Sequence, residues 1–229
     1  MTRPRLLDLC SGLGGAAMGY SRAGWDVVGV DIVNQPDYPF EFRQGDAFAY
    51  LVAHWDEFDA VHASFPCQAS SGPTKGTNKA RNTAKGVRHL DLNPAGRVLL
   101  DTIGLPYVME NVQGSVLRRD LTLCGEMFGL SQIRHRYFEL GGWTMPAPQH
   151  VPHRGRVRGW RHGQYFDGPY VAVYGNGGGK ATTEECRQAQ GIDWSWDRAQ
   201  LVEAIPPAYT EYIGMWLLEH VAAAGKAAA

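Results

Sequence analysis

Residues 5–15 read Arg-Leu-Leu-Asp-Leu-Cys-Ser-Gly-Leu-Gly-Gly, a short apolar run that breaks into a glycine-rich turn. A helix-like stretch follows through Gly19, Tyr20 and Ala23, so the local pattern is strand, tight turn, helix. The pattern recurs downstream. The run 27–30 closes on Asp31, 40–43 leads to Gly45-Asp46, 59–65 enters Pro66-Cys67-Gln68, and 106–109 enters Glu110-Asn111-Val112. A helical pattern occupies 94–103. Strands alternating with helices imply a doubly wound α/β fold whose parallel sheet binds ligands at the carboxyl ends of its strands. The polar residues just named fall at that edge. Further strand character is read at 170–174, a turn at 175–179, and a closing helix near 208–223 with a frayed Ala-rich tail.

Composition narrows the class. The chain has 229 residues, 44% hydrophobic and 20% charged, with 7 Trp, 10 Tyr and 8 Phe, which excludes a disordered polyelectrolyte. Its 28 glycines show no triplet period and mark tight turns and close backbone approaches. Lys and Arg total 22 against 23 Asp and Glu, so a nucleic-acid partner would have to be met by a local basic patch. The four cysteines, Cys10, Cys67, Cys124 and Cys186, are dispersed and read as reduced thiols. No apolar run is long enough for a signal peptide or a membrane span, so a soluble, cytoplasmic protein with no membrane partner is expected, as a monomer.

Two acid-free segments supply a basic patch. Residues 69–89 carry Lys75, Lys79, Arg81, Lys85 and Arg88 in a long loop of lid-like character. Residues 141–166 carry Arg154, Arg156, Arg158 and Arg161, interleaved with Trp143, Trp160 and Tyr165. His150, His153 and Cys186 invite a zinc reading, but their spacing is not that of a recognised site and a fourth ligand is not evident, so no metal is expected.

Singly, each motif has an ordinary explanation. The Gly12, Gly14, Gly15 turn can be a tight turn and nothing more, although Asp31 stands where an acid binds ribose hydroxyls in nucleotide folds. Cys67 can be a core thiol, although a preceding proline and basic neighbours suit a thiolate nucleophile. Glu110 can be a strand-end acid. Residues 132–136, Gln-Ile-Arg-His-Arg, alternate so that Gln132, Arg134 and Arg136 share one face of a strand, which can equally be a solvated edge.

In combination they resemble the DNA (cytosine-5) methyltransferase family. The resemblance rests on Asp8-Leu9 with the glycine turn, then Pro66-Cys67-Gln68, Glu110-Asn111-Val112 and Gln132-x-Arg134-x-Arg136 in that order. It extends to Gly45-Asp46-Ala47, to Ala204-Ile205-Pro206-Pro207 and to Ile213-Gly214, and covers roughly 1–140 and 200–220. It implies a Rossmann-like S-adenosylmethionine-dependent methyltransferase domain (1–140 plus 200–229) and a reduced target-recognition lobe (141–199), with double-stranded DNA as partner. By that resemblance Cys67 adds to cytosine C6, Glu110 hydrogen-bonds the ring, Arg136 and Arg134 hold O2 and the carboxylate, and Gln68 and Asn111 flank the centre. The cofactor would lie against Asp8, Cys10, Ser11, Gly12, Leu13, Gly14, Gly15, Asp31, Ile32, Asp46, Ala47, Pro66, Glu203 and Ala204. The lysines and arginines above, with Gln132, would meet DNA around a flipped base. Cys10 and Glu203 depart from the family's usual Phe and Asn. An RNA substrate, transfer RNA in particular, and a catalytically silent DNA-binding relative are the alternatives.

Overall fold

The computed structural model describes residues 2–66, 90–174 and 181–228. Cys67, Gln68, the basic loop 69–89 and the glycine turn at 175–179 therefore lie outside the described residues. Strands β1 (Arg5–Leu9), β2 (Asp26–Asp31), β3 (Glu41–Gln44), β4 (Ala60–Ala63), β5 (Tyr107–Val112), β6 (Leu121–Leu123) and β7 (Arg136–Gly141) form a seven-stranded sheet ordered β3-β2-β1-β4-β5-β7-β6. The first five pair in parallel, and β7 runs antiparallel to both β5 and β6. The strand order reverses between β1 and β4, which opens a crevice at their carboxyl ends.

Period-two alternation assigns the two faces. Leu7, Leu9, Val28, Val30, Val61 and Ala63 pack with Leu51 of α2 (Ala47–His54) and Leu100 of α3 (Asn93–Ile103). Their neighbours Leu6, Val27, Ala60 and Val108 pack with Tyr20 of α1 (Gly15–Ala23) and with Tyr209, Ile213 and Leu217 of α6 (Pro207–Ala228). Asp46 caps α2 by accepting from Ala49 N at 2.9 Å, and left-handed Gly24 and Gly104 end α1 and α3.

Helices α1 and α6 meet without side-chain padding. A Cβ on Gly15 would collide with Ile205 O, and one on Gly19 with Pro207 O and Thr210 Oγ1. Thr210 donates to Ala16 O at 2.8 Å, and Trp25 Nε1 donates to Gly214 O at 3.0 Å. The C-terminal helix thus backs the glycine turn and α1.

Between β7 and α6 lie a hairpin, β8 (Gly159–Arg161) with β9 (Gln164–Phe166), and helices α4 (Thr183–Gln190) and α5 (Arg198–Glu203). A separate apolar cluster of Val173, Ala181, Cys186, Ala189, Ile192 and Leu201 includes Leu13, so this segment is packed onto the glycine turn.

Three local expectations are corrected. Residues 170–174 form no strand: apart from one isolated bridge, Val157 to Tyr170, their backbone bonds go to separate segments, with Val171 N donating to Ser131 O and Ala172 O accepting from Ala181 N. Residues 132–135 are irregular and β7 starts at Arg136, because Gln132 and Arg134 anchor different elements. The Ala-rich tail continues α6 to Ala228, as expected of the best helix-forming residue. Among the described residues no helix is long and apolar enough to cross a membrane.

Candidate active site

The glycine turn leaves β1 with Cys10 (φ 57°), Gly12 (φ 47°) and Gly14 (φ 83°) all left-handed. Such backbone suits glycine, and Cys10 adopts it within a turn fixed from outside. Ser11 N donates to Val30 O at 3.1 Å, and Gly12 N donates to Asp31 Oδ2 at 3.0 Å. The other Asp31 oxygen accepts from Val33 N at 2.9 Å. Asp31 thereby locks the turn to the end of β2.

Around the turn the charge is negative. Burial together with Asp31, Asp8 and Asp46 pushes the Cys10 thiol up to about 12, so it is a thiol and not a thiolate. Asp8 is wholly buried; its Oδ2 accepts from Tyr38 at 3.3 Å and its Oδ1 has no partner among the described residues. Burial, eased by Tyr38 and reinforced by Asp31, lifts Asp8 to about 8. Among the described residues Ser11 Oγ is also buried without a partner, and nothing lies within 4 Å of where a Cβ of Gly12 would sit. Orphaned polar atoms, bare backbone and acids fit a small ligand bearing hydroxyls and a positive charge.

Other expected cofactor contacts lie nearby in varying exposure. Ile32 is exposed beyond Asp31, Ala47 opens α2, Pro66 is exposed past β4, and Leu13 O accepts from Trp194 Nε1 at 3.0 Å. Glu203 is exposed, but its carbonyl, like that of Val202, accepts from Arg134. Ala204 follows as the cap of α5.

The second half of the crevice is built on β5 and β7. Glu110 faces Phe138 across the antiparallel pair, which makes Arg136 its diagonal neighbour on the same face. Arg136 Nε lies 3.0 Å from Glu110 Oε1 as an ion pair. Glu110 is buried, and burial raises its carboxyl above the ordinary range against the opposing pull of Arg136, Arg134 and a Ser64 hydrogen bond. Asn111 donates to Phe65 O at 2.9 Å, tying the end of β5 to the segment that leads into Cys67. Arg134 is buried and holds Val173 O, Val202 O and Glu203 O, while Tyr209 OH donates to Arg134 O at 2.7 Å. Arg134 fastens the C-terminal segment to the site.

A buried chain of hydrogen bonds reaches Glu110 from behind, and sequence reasoning missed it. Tyr20 OH lies 2.9 Å from His62 Nδ1, His62 Nε2 lies 2.9 Å from Ser64 Oγ, and the Ser64 hydroxyl bonds Glu110. Because Ser64 donates to the carboxyl, it accepts from His62 Nε2–H, and Nδ1 accepts from Tyr20; donation runs one way, toward Glu110. Burial drives His62 down to about 3, so the ring is neutral. The available signal was a histidine inside the apolar run Ala-Val-His-Ala of β4, where a buried polar group demands partners.

The basic segment is less free than its composition suggests. Arg154 pairs with Glu126 at 2.7 Å, Arg158 pairs with Glu185, and Arg156 covers the Phe166 ring at 4.7 Å. Gln132, expected at the nucleic-acid face, is buried and donates to Ala189 O at 2.8 Å. Arg161 lies on β8 beside exposed Trp160, and Tyr165 is exposed on β9.

No protein-family model and no curated protein matches the chain. Among solved structures it is similar to the Entamoeba histolytica methyltransferase EhMeth, at 10% identity over 96% of this chain and 99% of that one, with a TM-score of 0.59. It is also similar to the S. pombe Dnmt2 methyltransferase, at 16% identity over the same shares and with the same TM-score. At these identities the likeness is one of fold, and the chain has the Rossmann-like fold of methyltransferases.

Proposed function

We propose that the protein is a cytosine-5 methyltransferase that uses S-adenosylmethionine and acts on double-stranded DNA. The observation that carries this reading is the buried Glu110 paired with half-buried Arg136, set on the same sheet edge as an acid-ringed glycine turn and tied by Asn111 to the segment entering Cys67. Asp31, Ser11 and the turn backbone would hold the cofactor, whose bound form supplies an electrophilic methyl group. In the proposed reaction the Cys67 thiolate adds to C6 of a flipped-out cytosine, which makes C5 nucleophilic. Glu110, whose carboxyl burial raises above its ordinary range, would share a proton with N3 and stabilise the charge that builds on the ring. Arg136 fixes the Glu110 carboxyl and presents a donor to O2. Once C5 carries the methyl group, a base or water takes the C5 proton, the C5–C6 double bond re-forms and the Cys67 thiolate is expelled by elimination.

A nucleic-acid substrate is supported by the five basic residues of the segment 69–89 and by exposed Trp160 and Tyr165, and the choice of DNA rests on the family resemblance of the motifs. The test is nucleoside mass spectrometry of duplex DNA, and in parallel of transfer RNA, after incubation with protein and S-adenosylmethionine. The expected product is 5-methylcytosine in DNA with the wild type and none with Cys67→Ala. Product in RNA alone would replace the substrate. Cofactor binding without product in either would leave a silent binding protein.

A further inference from the structure

Four side chains from three parts of the chain turn toward one point. Cys124 ends the β6 segment, His135 immediately precedes β7, and His150 and His153 sit on the irregular stretch between β7 and β8. Their ligand atoms all lie within 4.8 Å of one another. His135 Nε2 and His150 Nε2 are 3.0 Å apart, and Cys124 Sγ and His153 Nε2 are 3.3 Å apart. The three imidazole rings surround the point with centroids 5.0–5.3 Å apart. We propose that Cys124, His135, His150 and His153 form a structural zinc site.

The geometry favours a metal over a hydrogen-bonded cluster. Tetrahedral ligation with Zn–S near 2.3 Å and Zn–N near 2.0–2.1 Å places ligand atoms about 3.3–3.7 Å apart, within a few tenths of an ångström of the two closest pairs here. Two facing Nε2 atoms can share a single proton, whereas both can donate lone pairs to one cation. One thiolate and three neutral imidazoles make a closed, four-protein-ligand set, the arrangement of structural rather than catalytic zinc. Binding releases the thiol proton of Cys124.

The surroundings explain what such a site would hold. Residues 142–158 contain no helix or strand, and beside the cluster they are anchored by Arg154, which pairs with Glu126 and whose backbone N donates to Tyr170 OH, itself bonded to Glu126. A metal would staple this stretch to the sheet and clamp His135, which lies between Arg134 and Arg136. Cys186, which stands beside His150 and His153 in the zinc reading of the sequence, is not among these ligands: it is buried and accepts from Arg198 Nη1 at 3.3 Å.

The test is metal content of the full chain after gel filtration, by plasma mass spectrometry. About one zinc ion per chain is expected, lost in His150→Ala and Cys124→Ala and retained in Cys186→Ala. Since His150 is exposed, His150→Ala folds without the metal and keeps the comparison interpretable. Cobalt(II) loaded in place of zinc should give tetrahedral ligand-field bands and a thiolate charge-transfer band absent from Cys124→Ala. A chelator should lower the melting temperature of the wild type and leave that of His150→Ala unmoved. No bound zinc, zinc retained equally by His150→Ala, or a six-coordinate cobalt spectrum would overturn the site. None of these readouts depends on methyl transfer, so the zinc site stands or falls separately from the proposed reaction.

Discussion

Replacing His62 with Leu should expose the energetic content of the chain behind Glu110. The substitution removes two hydrogen bonds, one to Tyr20 and one to Ser64. Tyr20 is fully buried, so its hydroxyl finds no water and the loss costs about 1–3 kcal/mol. Ser64 is partly exposed and still bonds Glu110, so its share is smaller, about 0.5–1 kcal/mol. The expected destabilisation is thus about 1.5–4 kcal/mol. Tyr20→Phe alone leaves His62 Nδ1 unpartnered at a similar cost, but in the double variant neither orphan remains, so the effects should fall short of additivity by about 1–2 kcal/mol. Urea denaturation of the four proteins at pH 7.5 measures this. The same series has a pH signature. In the folded protein His62 sits near 3, below its unfolded value of 6.5, so its contribution is complete above 6.5 and is lost as pH falls toward 3. The acid limb of the wild-type stability curve should therefore flatten in His62→Leu. Additivity within about 0.3–0.5 kcal/mol, or an unchanged acid limb, would refute the one-way chain.

Glu139 is fully buried, with Arg97 on both its oxygens at 2.5 and 2.6 Å and Arg118 N at 2.8 Å; Glu139→Ala strands these donors and should cost about 3 kcal/mol by urea melt, the lower bound for a broken buried pair because both arginines are part-exposed. A loss under about 1 kcal/mol would mean that the pair behaves as a surface bridge. Asp8 is raised from 3.8 to about 8, so its contribution is complete below 3.8 and is lost as pH rises through 8; Asp8→Asn should gain stability over the wild type progressively between those limits, and a constant difference across the range would contradict its burial as an acid. Gly19→Ala gains helix propensity of about 1 kcal/mol but forces Pro207 and Thr210 away, and should be net destabilising by about 1–2 kcal/mol in a thermal melt; a stabilised variant would show that α1 and α6 can part freely.

What the sequence revealed was what is local. The strand, turn and helix of 5–23, Asp31 at the end of β2, and Glu110-Asn111 at the end of β5 are each set by a few consecutive residues, and the structure places them on one edge. What it concealed depends on partners far away in the chain. The basic look of 141–166 gave no hint that Glu126 and Glu185 take two of its arginines. The expected strand at 170–174 has the right residues but shares its backbone bonds among segments from 131 to 181. Gln132 and Arg134 look like an alternating edge, yet each is drawn inward by carbonyls of α4, α5 and Val173. His62 and Cys124 stand alone in sequence and acquire meaning only from Tyr20, Ser64 and three histidines brought up by the fold.

The contact between α1 and α6 also sets a timetable. Trp25 is capped by Gly214, a separation of 189 residues, and the bare face of Gly15 and Gly19 is met by Ile205, Pro207 and Thr210. At about 5–20 residues per second of synthesis, the glycine turn exists for roughly 10–40 s before its backing emerges from the ribosome. Through that interval α1 and the adjoining Trp25 stand without their C-terminal partners, so the turn is completed late and this apolar face is the segment that a chaperone would have most occasion to meet.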